Sequence, residues 1–368
     1  MLFYFDFQNY FKMLRLASRE TSLAIRVYYL SMLLIWVPLV SSFHAICFFL
    51  DGIIFPKLHS ISLQQPIFMI GHARSGTTLT HRLLSQDESR FSTFKLYELF
   101  FPSLLQKKII RGLAKLDSLL FFNAIGKIIQ LLENRNYKSG AHEMRLNSPE
   151  EDDIIFFFSM ASGYWITKMP YMGELDFYHV DNWPKKKRDR LMGFYSDCVR
   201  RQLYLNGIDK THLSKNPIFS GRVSTLIENF PDARFIINVR SPKETIPSLL
   251  KLLDGAYRSM GWDDERRLNC LKVLAEQSFD SYMRPLEFLE NNPKTPGSIV
   301  NYSDLVNDAE RCIKQVYKDL GIDLPDNLLP SLQNYAKEQM VYSSSHKYSL
   351  AEFGLDPEEI EKRLDNLF

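Results

Sequence analysis

The apolar pattern changes period several times along the chain, and each change marks an element. Ile67 to Ile70 is a short unbroken apolar run, which predicts a strand buried on both faces. Beyond Gly71 the chain turns polar through Arg74, Ser75, Gly76, Thr77 and Thr78, and Leu79, Arg82 and Leu83 then fall into helical spacing. Ala233 to Arg240 repeats the scheme, a buried strand closed by a positive charge. The segments HLSKNP (His212 to Pro217) and IVNYSD (Ile299 to Asp304) read as strand ends, and IIFFFSM after Asp153 reads as core. Glu310 to Leu320 predicts a helix stopped at Gly321. Two stretches are unusual. Val27 to Leu50 holds no Asp, Glu, Lys or Arg and is long enough to cross a hydrocarbon layer of roughly 30 Å, with Pro38 predicting a kink midway. From Ser103 to Leu132, Leu105, Ile109, Leu113, Leu116 and Leu120 share one helical face, with Lys107, Lys108, Arg111 and Lys115 around it.

Strand, glycine-containing loop and helix together form a standard device for holding an anion. Backbone N–H groups converge at the helix N-terminus, and two glycines permit a tight turn and close approach by a ligand. Ser75, Thr77 and Thr78 add hydroxyl donors, and Arg74 adds a planar charged fork. Gly71 and Gly76 match the spacing of the nucleotide P-loop, but its lysine position is Thr77, and the charge sits inside the loop at Arg74. ATP or GTP chemistry would lack its main contact to the transferred phosphate. The pattern predicts a phosphate-like group on a different ligand.

Arg-Ser-Gly-Thr-Thr after a buried strand resembles the 5′-phosphosulfate loop of sulfotransferases that use 3′-phosphoadenosine 5′-phosphosulfate (PAPS). The second signature of that family also has its counterpart, Arg240 at a strand end and Ser248 eight positions later. The resemblance runs from about Pro66 to the C-terminus. It is nearest to bacterial-type enzymes with a hydrophobic N-terminal segment, and more distant to tyrosylprotein sulfotransferases. It implies a parallel α/β sheet flanked by helices, similar to P-loop kinases, with both signatures at the C-terminal ends of strands. It further implies that Arg74, Ser75, Gly76, Thr77 and Thr78 hold the 5′-phosphosulfate. Arg240 and Ser248 would hold the 3′-phosphate, and Tyr302 would lie near the adenosine. PAPS is the implied donor and PAP the product.

The catalytic residues are carried over in the same way. Glu98, 24 residues after Arg74, resembles the base that takes the acceptor proton, and desolvation among Tyr97, Leu99, Phe100 and Phe101 is expected to raise its pKa. His142 is the rival base; with Glu151 it looks like a motif of the bacterial relatives and marks a substrate site. Lys215, shortly before Pro217, resembles the lysine that stabilises the transferring group. The Lys-x-x-His base of cytosolic relatives has no counterpart here, which favours a base elsewhere. Ser345 to Gly354 resembles a C-terminal loop that closes over the cofactor, with Lys347 able to approach a phosphate. The acids Glu150 to Asp153 after Pro149 have a sufficient explanation in a helix first turn, and no metal site is assigned. Lys185 to Arg190 reads as a solvated helix start.

Composition narrows the function further. The chain has 368 residues, 45% of them hydrophobic, and a formal net charge of +2, which gives no case for nucleic acid binding. The four cysteines are scattered without a C-x-x-C pair, so neither zinc nor a disulfide framework is suggested. Two regions are expected: a hydrophobic, membrane-associated helical segment over 1–60 and a sulfotransferase domain over 61–368. Lys12, Arg15, Arg19 and Arg26 precede the apolar run and place the N-terminus on the cytoplasmic side. A kinked or re-entrant helix would keep the catalytic domain cytoplasmic; a single span would instead make a type II protein with a lumenal domain. The short connection from Leu50 to the first strand argues against a stem, and the only N-x-[ST] sequon, Asn301-Tyr302-Ser303, reads as part of a buried strand. The activity expected is sulfuryl transfer from PAPS to the hydroxyl of a small-molecule or lipid acceptor. An ATP-dependent kinase with a degenerate loop, and a membrane-tethered binding protein that has lost catalysis, are the alternatives. Oligomeric state is not readable.

Overall fold

A computed structural model describes residues 2–136, 145–325, 328, 330 and 353–364. The chain divides into two compact units. The first comprises Met1–Leu63, Ser92–Ala161 and Gly193–Lys210; the second comprises Gln64–Phe91, Ser162–Met192 and Thr211–Phe368. The N-terminal segment, expected to form a region of its own, is therefore built into one unit with two later stretches of chain.

The second unit carries the sheet. Its strands are β1 (Ile67–Gly71), β2 (Phe91–Ser92, reaching the unit boundary), β3 (Thr211–Lys215), β4 (Arg234–Val239) and β5 (Gly297–Asn301). Their order is β2-β3-β1-β4-β5, and β1 pairs in parallel with β3 and β4, as β4 does with β5. All five residues of β1 are buried, as an apolar run without alternation requires. Ile67 and Met69 face a core shared with Leu83, Leu213, Ile313 and Val316. Phe68 points the other way, against Phe219, Phe230 and Phe235 at ring separations of 5.3 to 6.3 Å. The helices Thr77–Leu84 and Ala309–Asp319 cover the first face, and Asp264–Asn291 packs on the second. The parallel sheet flanked by helices is the architecture the sequence predicts. β5 differs in detail: its burial alternates and Asn301 is exposed, so the sequon lies at a strand end on the surface rather than in a buried strand.

In the first unit the apolar run lies within one helix from Leu23 to Ile54. It is long and apolar enough to cross a membrane. Pro38 produces no break; Met32–Trp36 forms a π turn just before it, which widens the helix where the proline removes a hydrogen bond. The helix is tied to its unit by polar contacts. Ser41 donates to the Phe158 carbonyl at 2.7 Å, and His44 meets Gln106. Asp51, wholly buried, accepts from Arg201 Nε at 2.7 Å and from the N–H groups of Leu104 and Leu105 at 2.9 and 2.8 Å. Those N–H groups open the next helix, Leu104–Leu120, so one carboxylate both neutralises a buried guanidinium and occupies a helix N-terminus. After Pro149 a short 3₁₀ helix, Asp152–Phe156, has Asp152 and Asp153 in its first turn, as expected; Glu150, Asp152 and Asp153 are in addition buried, and Asp152 accepts from Tyr195.

Asp51→Ala leaves the Arg201 charge buried with its carboxylate partner gone. It should cost about 3 kcal/mol, read as a lower midpoint of urea unfolding; an unchanged midpoint would show that the ion pair carries no stability.

Candidate active site

The loop after β1 is shaped by two left-handed turns and one strained residue. Gly71 has φ 118°, and a Cβ there would stand 2.4 Å from the Asn238 carbonyl oxygen of β4. Gly76 has φ 91°, and a Cβ there would stand 2.6 Å from the Tyr302 ring. Both positions require glycine by conformation and by space. Arg74 adopts φ 71° despite its side chain, at a cost of about 1–2 kcal/mol. Its Nε donates to Ser248 Oγ at 3.1 Å, which ties the strained residue to the helix Pro242–Ser259. Strain held by a long-range contact is characteristic of ligand-binding loops.

Gly76 is the N-cap of the helix Thr77–Leu84 and no side chain caps that helix. Its first-turn N–H groups are thus the part of the helix an anion would engage. Lys215 ends β3 fully buried, with Nζ 3.5 Å from Thr78 Oγ1. Arg240 follows β4; its guanidinium lies 4.2 Å over the Tyr302 ring and pairs with Glu244 at 2.6 Å. The ring that packs on Gly76 therefore also carries Arg240. Arg74, Ser75, Gly76, Thr77, Thr78, Lys215, Arg240, Ser248 and Tyr302 all lie in the second unit, joined by these contacts.

Several supporting residues were not read from the sequence. Ser220 Oγ accepts from the Gly71 N–H at 2.9 Å. Asn238 donates to Thr80 Oγ1 at 2.7 Å. Tyr282 donates to the Arg240 carbonyl at 2.9 Å and stacks on His72 at 5.0 Å. Burial holds the His72 imidazole down at a pKa of about 4, so it is neutral. Asn238 left a signal, a polar residue in an otherwise apolar strand; Ser220 and Tyr282 left none.

Glu98 departs from expectation. It lies in the first unit with no exposed surface. Its carboxylate accepts from Tyr97 Oη and Arg111 at 2.9 Å each, from the Lys95 N–H at 2.9 Å and from Gln202 Nε2 at 2.7 Å. Burial pushes the carboxyl up, but Lys107, the Lys95 N–H, Arg111 and Tyr97 together outweigh it, and the pKa is lowered. The aromatic neighbours were right about burial and wrong about its consequence. Its charge stabilises the fold fully above the ordinary carboxylate pKa, and that contribution is lost only as pH falls through the lowered value. Lys107, on the same network through Gln202 at 2.6 Å, is pushed down to about 8 by burial. His142 and Lys347 lie outside the described residues; Glu151 is half-buried in the first unit.

A glycine-containing loop and a second basic arm leave neighbouring parallel strands at their C-terminal ends, where α/β sheets of this class bind their ligands. The model of the Sulfotransferase family matches residues 66–326, and the chain belongs to that family and is a sulfotransferase. A curated relative, omega-hydroxy-beta-dihydromenaquinone-9 sulfotransferase Stf3 of Mycobacterium bovis, is 26% identical over 296 residues, covering 78% of this chain and 70% of that protein. The Stf3 of Mycobacterium tuberculosis matches to the same extent. Among solved structures, sulfotransferase STF9 from Mycobacterium avium superposes with a TM-score of 0.73 at 15% identity, over 99% of this chain and 92% of that one. STF1 from Mycobacterium tuberculosis gives 0.65 at 19% identity, over 98% and 92%. These two show the shared fold. The kinase and the inactive binding protein entertained from the sequence give way to the family assignment.

Gly76→Ala should reduce turnover at least tenfold, because it must displace the Tyr302 ring and hold a left-handed φ with a Cβ. Steady-state assay beside a thermal melt checks this. Full activity would show that the loop tolerates a different shape.

Proposed function

We propose that the chain moves the sulfuryl group of PAPS to the hydroxyl of a lipid-like acceptor. The observation that carries the donor assignment is the Arg74–Ser248 contact, which joins the residues expected at the 5′ and 3′ ends of one nucleotide. The residues present fit that donor. Gly76 leaves a cradle that a Cβ would fill, the uncapped helix start offers N–H groups, and Arg74, Lys215 and Arg240 supply positive charge. PAPS, when bound, supplies an activated sulfuryl group. Arg74 and the loop N–H groups would hold its phosphosulfate, and Arg240 and Ser248 its 3′-phosphate. Lys215, placed beside Thr78, would stabilise the charge that develops as the sulfur–oxygen bond to the donor breaks and the bond to the acceptor oxygen forms.

The acceptor proton must go to a base. Glu98 and His142 are the two candidates from the sequence. Four donors on Glu98 and its lowered pKa favour His142 as the base and Glu98 as an anchor of the first unit. The acceptor class rests on the Stf3 relative, named for a hydroxylated menaquinone, together with the apolar N-terminal helix. A cytoplasmic membrane face is the location that suits both.

PAP should bind tightly by calorimetry and ATP should not. Arg240→Ala should weaken PAP about thirtyfold, the worth of one charge-assisted contact of about 2 kcal/mol. Equal affinity for ATP, or no loss in the variant, would overturn the donor assignment. His142→Asn should lose turnover and keep PAP affinity. Glu98→Gln should lower stability by about 2 kcal/mol and keep turnover per folded molecule; loss of turnover at unchanged stability would instead make Glu98 the base.

A further inference from the structure

The helix Leu104–Leu120 is packed inside out. Gln106, Lys107 and Asp117 are buried, whereas Ile109, Leu113, Leu116 and Leu119 are exposed. The buried polar groups are used. Lys107 reaches Gln202, and Asp117 accepts from the N–H groups of Ile125 and Gly126 at 3.1 and 3.0 Å, capping the following helix, Ala124–Asn136. The two helices thus form a hairpin held by Asp117. Its tip is Phe121-Phe122, with Phe122 84% exposed and positive φ at Phe122 and Asn123. Ile128 and Leu131 continue the apolar surface on the return helix. In water an amphipathic helix buries the opposite face, and a continuous apolar patch of this kind marks an interaction surface.

The helix Leu23–Ile54 carries a second such surface in the same unit. Tyr29, Leu33, Val37 and Phe48 are buried in the unit, while Leu34, Trp36, Leu39, Phe43 and Ile46 face outward. Its buried side holds Ser41, His44 and Asp51, each bonded to another part of the unit. A helix crossing a bilayer would have to give these bonds up.

Charge distinguishes the occupant. Across residues 2–63 and 104–132 every acid, Asp6, Glu20, Asp51 and Asp117, is buried. The exposed charges there are all basic: Lys12, Arg15, Arg19, Lys57, Lys108, Lys115 and Lys127. A second copy of this chain would bring the same positive fringe against itself. An anionic lipid surface satisfies both the apolar faces and the charges around them.

We propose that the first unit is a monotopic membrane platform, with the hairpin 104–132 and the outer face of Leu23–Ile54 seated in one leaflet of an anionic bilayer and no segment crossing it. The inference concerns lipid binding alone and does not depend on the donor or the acceptor.

Sedimentation of the full chain with phosphatidylcholine vesicles, with and without phosphatidylglycerol and with neither donor nor acceptor present, tests it. Binding should strengthen about tenfold with the anionic lipid and weaken with salt. Leu119→Glu combined with Phe122→Glu should abolish it with an unchanged thermal melt, and Lys115→Glu with Lys127→Glu should remove the lipid preference. The part of the tryptophan signal lost in Trp36→Phe should be quenched by bromines placed shallow in the acyl chains. Strongest quenching at the bilayer centre would mean a span and would overturn the in-plane arrangement. So would absence of vesicle binding, or a dimer that the Leu119/Phe122 variant converts to monomer.

Discussion

The parallel pairing of β1 with β4 is the constraint on which the site depends. Gly71 lies in register with Asn238, so the loop after β1 and Arg240 leave the sheet at the same level and side by side. The register also sets the loop's shape. The Asn238 carbonyl stands where a Cβ of residue 71 would be, so the chain can turn only through a glycine. Beyond the sheet the two arms are joined again, by Arg74 on Ser248 and by Tyr302 between Gly76 and Arg240. A ligand charged at both ends would meet a frame already assembled, which reduces the ordering cost of binding.

The first unit is organised by another principle, buried charge satisfied by geometry. Asp51 with Arg201, and Glu98 with Arg111, Lys107 and Gln202, are ionic or polar groups withdrawn from water and supplied with several partners each. Such networks add little net stability over an apolar core, but breaking one partner is costly, so they specify one arrangement. On the helix Leu104–Leu120 the arrangement is unusual, since Gln106, Lys107 and Asp117 are turned inward and Ile109, Leu113, Leu116 and Leu119 are left outside.

Local chemistry was legible in the sequence, and partnership across the fold was not. Ile67 to Thr78 announces a buried strand, a glycine turn and a helix start because the apolar run, the glycines and the hydroxyls are contiguous. The positions of Arg240, just after a strand, and of Ser248, on the next helix, were legible for the same reason. Ser220 and Tyr282, which fix the loop and the Arg240 backbone, come from distant segments and have no local mark. Glu98 shows the limit most clearly. Its aromatic neighbours do indicate burial, but the sign of its pKa shift is decided by Lys107, Arg111 and Gln202, and nothing in FKLYELFFPS identifies them.

The N-terminal segment illustrates the same limit from the other side. Length and composition of Val27 to Leu50 fit a span, an in-plane helix and a core helix alike, because hydropathy counts residues without asking which way they face. The decisive residues are Ser41, His44 and Asp51, three polar positions on one side whose partners, Phe158, Gln106 and Arg201, lie far along the chain. A spanning helix would expose a buried carboxylate to hydrocarbon and strand Arg201 without it, a penalty of several kcal/mol. The opposite side is largely apolar, with Leu34, Trp36, Leu39, Phe43 and Ile46 exposed beside Ser42. The proposed in-plane seating rests on this one-sided polarity, which becomes visible only when the later chain is folded against the helix.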